Sequence, residues 1–160
     1  MNSSFLRTAS TLLLAAMIPA SASSQNATAP DPFRLDLHAN FITQNGDWTS
    51  SGAFSDSGII ADVAEHAPKG NPLHAANLSV VETLSGNAGS FTWRFTRHFA
   101  PVAGPLAGQN ATFRTGGAWQ IIDGTGAYAG MSGQGTFEGT INVATGDIYD
   151  TYEGYVQLAP

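Results

Sequence analysis

The sequence contains no cysteine and few basic residues. Its 160 residues include 6 Lys and Arg against 12 Asp and Glu, and only 11% of them are charged, whereas a soluble domain usually has about 25%. The absence of cysteine excludes disulfides, cysteine-based catalysis and thiolate metal sites. The net charge of −6 and the single lysine, Lys69, argue against nucleic-acid binding, because phosphate contacts need clustered Lys and Arg.

The remaining composition is that of a folded domain. Hydrophobic residues make up 42% of the chain, which also has 18 glycines and aromatic residues along its length. Such a composition is typical of globular rather than disordered chains. A chain of this length forms one domain and buries about two-thirds of the surface that its unfolded form exposes. We therefore expect a small acidic domain with its own core.

The first 22 residues have the features of a signal peptide. Arg7 precedes an apolar stretch over residues 11–20, and Ala20-Ser21-Ala22 is an A-x-A cleavage site. The apolar stretch contains Pro19 and is shorter than the roughly 20 residues that a membrane-spanning helix requires. We therefore expect cleavage after Ala22 and a mature protein that is secreted or periplasmic and does not interact with the membrane.

The mature chain is predicted to begin with a short tether. Residues 23–32 are small and polar with two prolines, and the domain follows over residues 33–160. The lack of cysteine in an exported chain favours a bacterial origin. Asn26, Asn77 and Asn110 begin N-x-S/T triplets, which matter only in a host that glycosylates proteins.

Alternation of apolar and polar residues predicts strands in the first part of the domain. The first strand starts near Phe33 and ends at a turn over residues 45–47. Residues 49–63 are interpreted as one bent or bulged strand, although residues 59–67 also fit two helical turns. Residues 68–74 contain two prolines and a glycine and are predicted to form a loop.

The second part of the domain repeats this pattern. A hairpin is predicted from two strands joined by residues 85–89, a second loop covers residues 101–108, and three more strands follow. The five predicted strands cover residues 77–84, 90–99, 111–122, 135–143 and 147–158. Six to eight strands without βαβ alternation predict an all-β domain, either an antiparallel sheet closed into a barrel or a sandwich.

Three ionisable residues, Glu82, Arg97 and Asp150, fall on rows that are otherwise apolar. A structural interpretation is that a bulge turns the residue outward, or that Glu82 pairs with Arg97 across the hairpin. A functional interpretation is that these three are catalytic groups, with Glu82 or Asp150 a general acid or base whose pKa burial raises. The ligand would then lie against interior aromatic residues: Phe91, Trp93, Phe95, Trp119 and Tyr152.

The sequence offers no cofactor or metal motif. Gly124-x-Gly126-x-x-Ala129 fits the dinucleotide-binding fingerprint, but the glycine-rich residues 132–135 follow it where that fingerprint needs a helix. The four histidines lack metal-binding spacing. His38 and His98 fall on polar rows, while His66 and His74 lie in or near a loop, so all four are expected at the surface or the rim.

One segment carries a family resemblance. Trp119-Gln120-Ile121-Ile122-Asp123-Gly124-Thr125-Gly126, followed by Ala127-Tyr128-Ala129-Gly130 and Gly133-Gln134-Gly135-Thr136-Phe137, resembles the allene oxide cyclase barrel-like domains of bacterial secreted proteins. The plant dirigent proteins are more distant relatives. Residues 55–58, 89–91 and 152–156 are similar to the same family, so the resemblance covers residues 35–158. It implies a single closed antiparallel barrel of about eight strands with a central cavity, often assembled as a homodimer or homotrimer.

Several functions are compatible with these features. The first is a barrel that binds a small apolar ligand, and the second is a cofactor-free cyclase or isomerase acting on a flexible hydrophobic substrate. A third is a sugar-cleaving carboxylate pair, Glu82 with Asp150 or Glu138. The last is a structural or interaction barrel without a ligand. No residue pattern requires catalysis, so ligand binding is the leading hypothesis.

The signal-peptide prediction can be tested by N-terminal sequencing of the secreted protein. Cleavage after Ala22 predicts Ser23 as the first residue. An intact N-terminus recovered from the membrane fraction would contradict it.

Overall fold

The chain folds into a closed β-barrel. The computed structural model describes residues 29–60, 78–103 and 112–160. Eight antiparallel strands pair in chain order, and the last pairs with the first. They are β1 (Asp31–Asn40), β2 (Asn45–Gly52), β3 (Ser57–Ile60), β4 (Leu78–Gly86), β5 (Ser90–Ala103), β6 (Thr112–Gly124), β7 (Ser132–Asn142) and β8 (Asp147–Gln157). The predicted fold class is confirmed.

Side-chain alternation explains why these segments form a barrel. In β1, Phe33, Leu35, Leu37 and Ala39 are buried, and the residues between them are exposed. All eight strands contribute at least one buried apolar side chain to one common interior. Closure pairs β1 with β8, so each of the eight strands has a hydrogen-bonded neighbour on both sides. The described residues include one short 3₁₀ helix, Gly126–Tyr128, and none of their helices is long and apolar enough to cross a membrane.

The first strand and its turn differ from the prediction. β1 begins at Asp31, so Asp31 and Pro32 belong to the sheet and not to the tether. The turn predicted at residues 45–47 lies instead at residues 41–44. Asn40 explains the shift, because its side-chain oxygen accepts hydrogen bonds from the backbone N–H groups of Ile42 and Thr43 at 2.9 and 3.0 Å. Asparagine favours a turn directly after itself through such bonds.

The prediction of one bent strand over residues 49–63 is wrong. β2 ends at Gly52 and β3 begins at Ser57. Gly52 has a φ of +92°, and a Cβ atom there would lie 2.2 Å from the carbonyl oxygen of Pro32, so only glycine fits this strand end. The alternative of two helical turns over residues 59–67 is wrong for residues 59 and 60, which lie in β3. The rest of that segment and the predicted loop at 68–74 lie outside the described residues.

The later strands follow the prediction closely. The predicted hairpin corresponds to β4 and β5, and the last three predicted strands correspond to β6, β7 and β8. One correction concerns the loop predicted at residues 101–108, because β5 continues to Ala103. Residues 104–108 lie outside the described part of the chain.

One end of the barrel is held by the side chain of Asp56, in the connection between β2 and β3. Its carboxylate accepts hydrogen bonds from the Tyr128 hydroxyl at 2.5 Å and from the Ser57 backbone N–H at 2.7 Å. It also accepts bonds from the Asn87 side chain at 3.0 Å and the Ala88 N–H at 3.2 Å. One carboxylate therefore ties together three connections, and we call this arrangement the Asp56 clasp.

The clasp shifts the pKa values of both of its ionisable groups. Burial alone would raise the pKa of Asp56, but the hydrogen bonds from Tyr128 and the neighbouring N–H groups outweigh it and hold that pKa well below its usual range. Burial and the bond to Asp56 raise the pKa of Tyr128. The clasp is therefore formed by a charged carboxylate and a neutral phenol.

The clasp predicts a specific acid sensitivity. Because the folded-state pKa of Asp56 is lowered, its stabilisation is present above its unfolded pKa of about 3.9 and is lost as the pH falls below that value. Asp56→Asn is expected to lower the free energy of unfolding at neutral pH by about 2 kcal/mol and to flatten its decline between about pH 5 and 2. Urea unfolding across this range measures both effects. Asp31→Asn, at an exposed carboxylate, is the control, and an Asp56→Asn curve parallel to the wild-type curve would contradict the prediction.

Candidate functional site

Glu82, Arg97 and Asp150 all point into the barrel. Their exposed fractions are 6%, 0% and 3%, and the alternation of β4, β5 and β8 continues through them without interruption. The alternative that a bulge turns them outward is therefore wrong. Charged side chains in such an interior are costly unless partners compensate for the lost water.

Asp150 is the hub of the polar interior. Arg97 donates from Nη2 to Asp150 Oδ2 at 2.5 Å. The Thr115 hydroxyl donates to Oδ1 at 2.9 Å, and the Tyr152 hydroxyl donates to Oδ2 at 3.3 Å. Three strands, β5, β6 and β8, thus send a hydrogen-bond donor to one buried carboxylate. Such a network is stable only while its members remain together.

The glycine opposite Asp150 makes room for this network. Strand register places Gly139 of β7 directly between Thr115 of β6 and Asp150 of β8. A Cβ atom at position 139 would lie 2.1 Å from Asp150 Oδ1. The missing side chain therefore allows Thr115 and Asp150 to meet across an intervening strand.

Aromatic rings complete the surroundings of Arg97. The centre of its guanidinium lies 5.4 Å from the ring centroid of Phe95 and 5.3 Å from that of Phe137, within the range of cation–π attraction. Burial opposes the charge of Arg97, but the Asp150 carboxylate outweighs it and raises the pKa of Arg97. Burial and the charge of Asp150 raise the pKa of Tyr152 well above its ordinary value. Arg97 is therefore a permanent cation, and Tyr152 a neutral hydrogen-bond donor.

Glu82 forms a second polar contact in the same interior. It faces Trp93 across the β4–β5 pairing, and the indole N–H of Trp93 donates to Glu82 Oε2 at 2.9 Å. The ring of Trp93 lies 4.3 Å from that of Tyr152, so it connects Glu82 to the Asp150 network. In the described part of the chain, the predicted pair of Glu82 and Arg97 does not form, because Arg97 bonds to Asp150 instead. The charge of Glu82 still favours the protonated form of Arg97.

The five predicted lining residues come together in the interior. Each is at most 2% exposed, and their rings contact one another. Trp93 lies 5.9 Å from both Phe91 and Trp119, and Phe95 lies 6.2 Å from Tyr152, measured between ring centroids. The indole N–H of Trp119 donates to the backbone carbonyls of residues 136 and 153 at 3.1 and 3.2 Å. A ligand among these rings therefore requires some of them to move apart.

Sequence reasoning missed three residues of this site: Thr115, Phe137 and Gly139. Thr115 lies on the inward row of β6, two residues after Phe113, but a threonine on that row does not by itself indicate a site residue. The role of Gly139 is visible only from the strand register. No sequence signal indicates that Asp150, 53 positions away, is the partner of Arg97.

Other candidate residues lie outside the interior. Glu138 is exposed on β7, so the sugar-cleaving pair of Glu82 with Glu138 is wrong. His38 and His98 are exposed as predicted, and the ring of His38 stacks on Tyr149 at 4.5 Å. His66 and His74 lie outside the described residues. In residues 29–60, 78–103 and 112–160, no group of three or more His, Asp or Glu residues is placed to bind a metal.

No protein-family model matches the chain, and neither a curated protein nor a solved structure matches it significantly.

Proposed function

We propose that this chain is an exported barrel of the allene oxide cyclase-like type that binds a small apolar ligand in its interior. The observation that carries the proposal is the buried ion pair of Arg97 and Asp150 among aromatic side chains. Glu82 adds a second carboxylate to the same interior. Together these groups would hold the polar part of a ligand whose apolar body packs on the rings.

Energetics support a role in recognition. Replacing a buried ion pair by well-packed apolar residues of similar size is often neutral or stabilising. The barrel already has an extensive apolar core that includes Leu35, Leu84, Phe113, Ile141 and Ile148. Stability alone therefore gives no reason for placing three ionisable side chains there, whereas binding or catalysis does.

The position of the network favours entry from the end of the barrel opposite the Asp56 clasp. Asp150 and Thr115 are each the fourth residue of their strands, β8 and β6. Both strands begin at the end opposite the clasp, where β1, β3, β5 and β7 end. The clasp, together with Phe54 packed 4.8 Å from Tyr128, covers the other end. A ligand entering from the end opposite the clasp meets Asp150 before it reaches Trp93.

A cofactor-free isomerase or cyclase is the second candidate. Tyr152 is a neutral phenol beside Asp150, and Glu82 accepts a hydrogen bond from Trp93, whose ring packs against Tyr152. A proton donor and a carboxylate in one dry interior can polarise a flexible hydrophobic substrate that the rings hold in a folded shape.

We also propose, from the family resemblance, assembly as a homodimer or homotrimer.

Glu82→Gln tests the proposal, because it keeps the size of the side chain and its acceptor for Trp93 while removing the charge. The probe is N-phenyl-1-naphthylamine, a neutral apolar fluorophore with one N–H group, titrated against the full chain. We expect wild type to bind one probe with energy transfer from tryptophan. Glu82→Gln is expected to bind the probe about tenfold more weakly, because the N–H group of the probe can no longer donate to a charged carboxylate. Its melting temperature is expected to be unchanged or higher.

Glu138→Gln is the matched control, since it removes an exposed carboxylate from the outer face. It should leave probe binding unchanged. Absence of probe binding to wild type would contradict the proposal and favour a structural barrel. Unchanged binding by Glu82→Gln with a lower melting temperature would assign Glu82 a structural role.

A further inference from the structure

A row of polar side chains crosses the outside of the barrel from β5 to β8. Strand register places Arg94 beside Gln120, Gln120 beside Gln134, and Gln134 beside Tyr155. All four are exposed, and Tyr155 is 58% exposed. A guanidinium, two amides and a phenol therefore lie in line on one face of the sheet.

The neighbouring row on the same face is made of small residues on β5, β6 and β7, and it continues to Glu153 on β8. Thr96 lies beside Ala118, and Ala118 lies beside Thr136. Because these side chains are short, the surface beside the polar row forms a groove of about 1010 Å³ across β5, β6, β7 and β8. Its floor offers methyl groups and its wall offers hydrogen-bonding groups.

The polar row is free to bind a ligand. Within the part of the chain that the structure describes, none of its four side chains forms a hydrogen bond or ion pair with another protein group. The adjoining polar residues are different, because Arg34 bonds to Asp36 at 2.7 Å and to Glu153 at 2.9 Å. Arg34 thus pairs with Glu153, the carboxylate that lines the groove on β8, whereas the polar row keeps its hydrogen-bonding groups available.

We propose that this groove binds a neutral β-1,4-linked oligosaccharide lying across the four strands. Amide and phenol groups both donate and accept hydrogen bonds, as do sugar hydroxyls. The ring of Tyr155 and the methyl groups of the floor suit the apolar faces of sugar rings. Neighbouring strands are about 4.8 Å apart, close to the length that one β-1,4-linked hexose adds to a chain, so successive sugars would meet successive side chains.

Other ligand classes fit less well. A strongly anionic ligand needs several cations, and among the described residues that line the groove only Arg94 is positively charged. An extended peptide that adds a strand needs a free sheet edge, whereas the groove lies on the face of β5 to β8, each of which is paired with a strand on both sides. A hydroxyl-rich neutral chain matches both the polar wall and the small floor.

Calorimetric titration of the full chain with cellohexaose and xylohexaose tests the site. We expect wild type to bind at least one of them, and Tyr155→Ala and Gln134→Ala each to weaken that binding by about tenfold or more. Ala118→Met, which fills the floor from an outward position, is expected to have a similar effect. All three positions are outside the core, so the melting temperature should change little.

Tyr149→Ala is the matched control, because Tyr149 lies on the same strand, is 54% exposed and is outside this groove. It should leave sugar binding unchanged, as should Glu82→Gln in the interior. Failure of both hexasaccharides to bind wild type would overturn the proposal. So would binding that Tyr155→Ala, Gln134→Ala and Ala118→Met all leave intact, or a groove found covered by a second copy of the chain in solution.

Discussion

The ion pair between Arg97 and Asp150 is the interaction on which the barrel interior depends. It joins β5 to β8 across two intervening strands, and the donors Thr115 and Tyr152 are arranged around the same carboxylate. Gly139 has no side chain at the point where Asp150 needs the space. Packing of Phe95 and Phe137 on the guanidinium then follows from the position of Arg97. Any change to one member affects the others, because all of their side chains are buried and bulk water does not replace a lost partner.

The two ends and the two faces of the barrel are organised by different forces. At one end the charged Asp56 carboxylate accepts hydrogen bonds from neutral donors and so joins three connections. The buried network lies toward the other end, beside the starts of β6 and β8. On the outside, the row from Arg94 to Tyr155 forms no bonds within the described residues and borders a groove. The barrel therefore offers two separate candidate sites: a buried one that holds an ion pair, and an exposed groove lined mainly by uncharged residues.

Most of the strands could be predicted from the sequence, because a strand with one buried side repeats every two residues. Alternation alone leaves a barrel and a sandwich open, and the closed barrel is what the family resemblance implies. The alternation rule placed Glu82, Arg97 and Asp150 inside, and it brought Phe91 to Phe95 onto the row where they lie. It failed at connections, where Asn40 moved the first turn and Gly52 ended β2. Alternation also does not predict that Arg97 pairs with Asp150. Alternation gives the face of a residue, whereas a partner three strands away depends on barrel closure, register and the space at Gly139.

A double-mutant cycle on the ion pair tests the central claim most directly. Arg97→Met removes the cation, and Asp150→Asn removes the charge while keeping an acceptor for Thr115. Urea unfolding should show that each single variant loses about 3 to 5 kcal/mol, because the remaining charge is left buried. The double variant should lose little more than either single variant, which gives a coupling energy of at least about 2 kcal/mol. Losses that simply add would contradict the claim that Arg97 and Asp150 organise the interior as one unit.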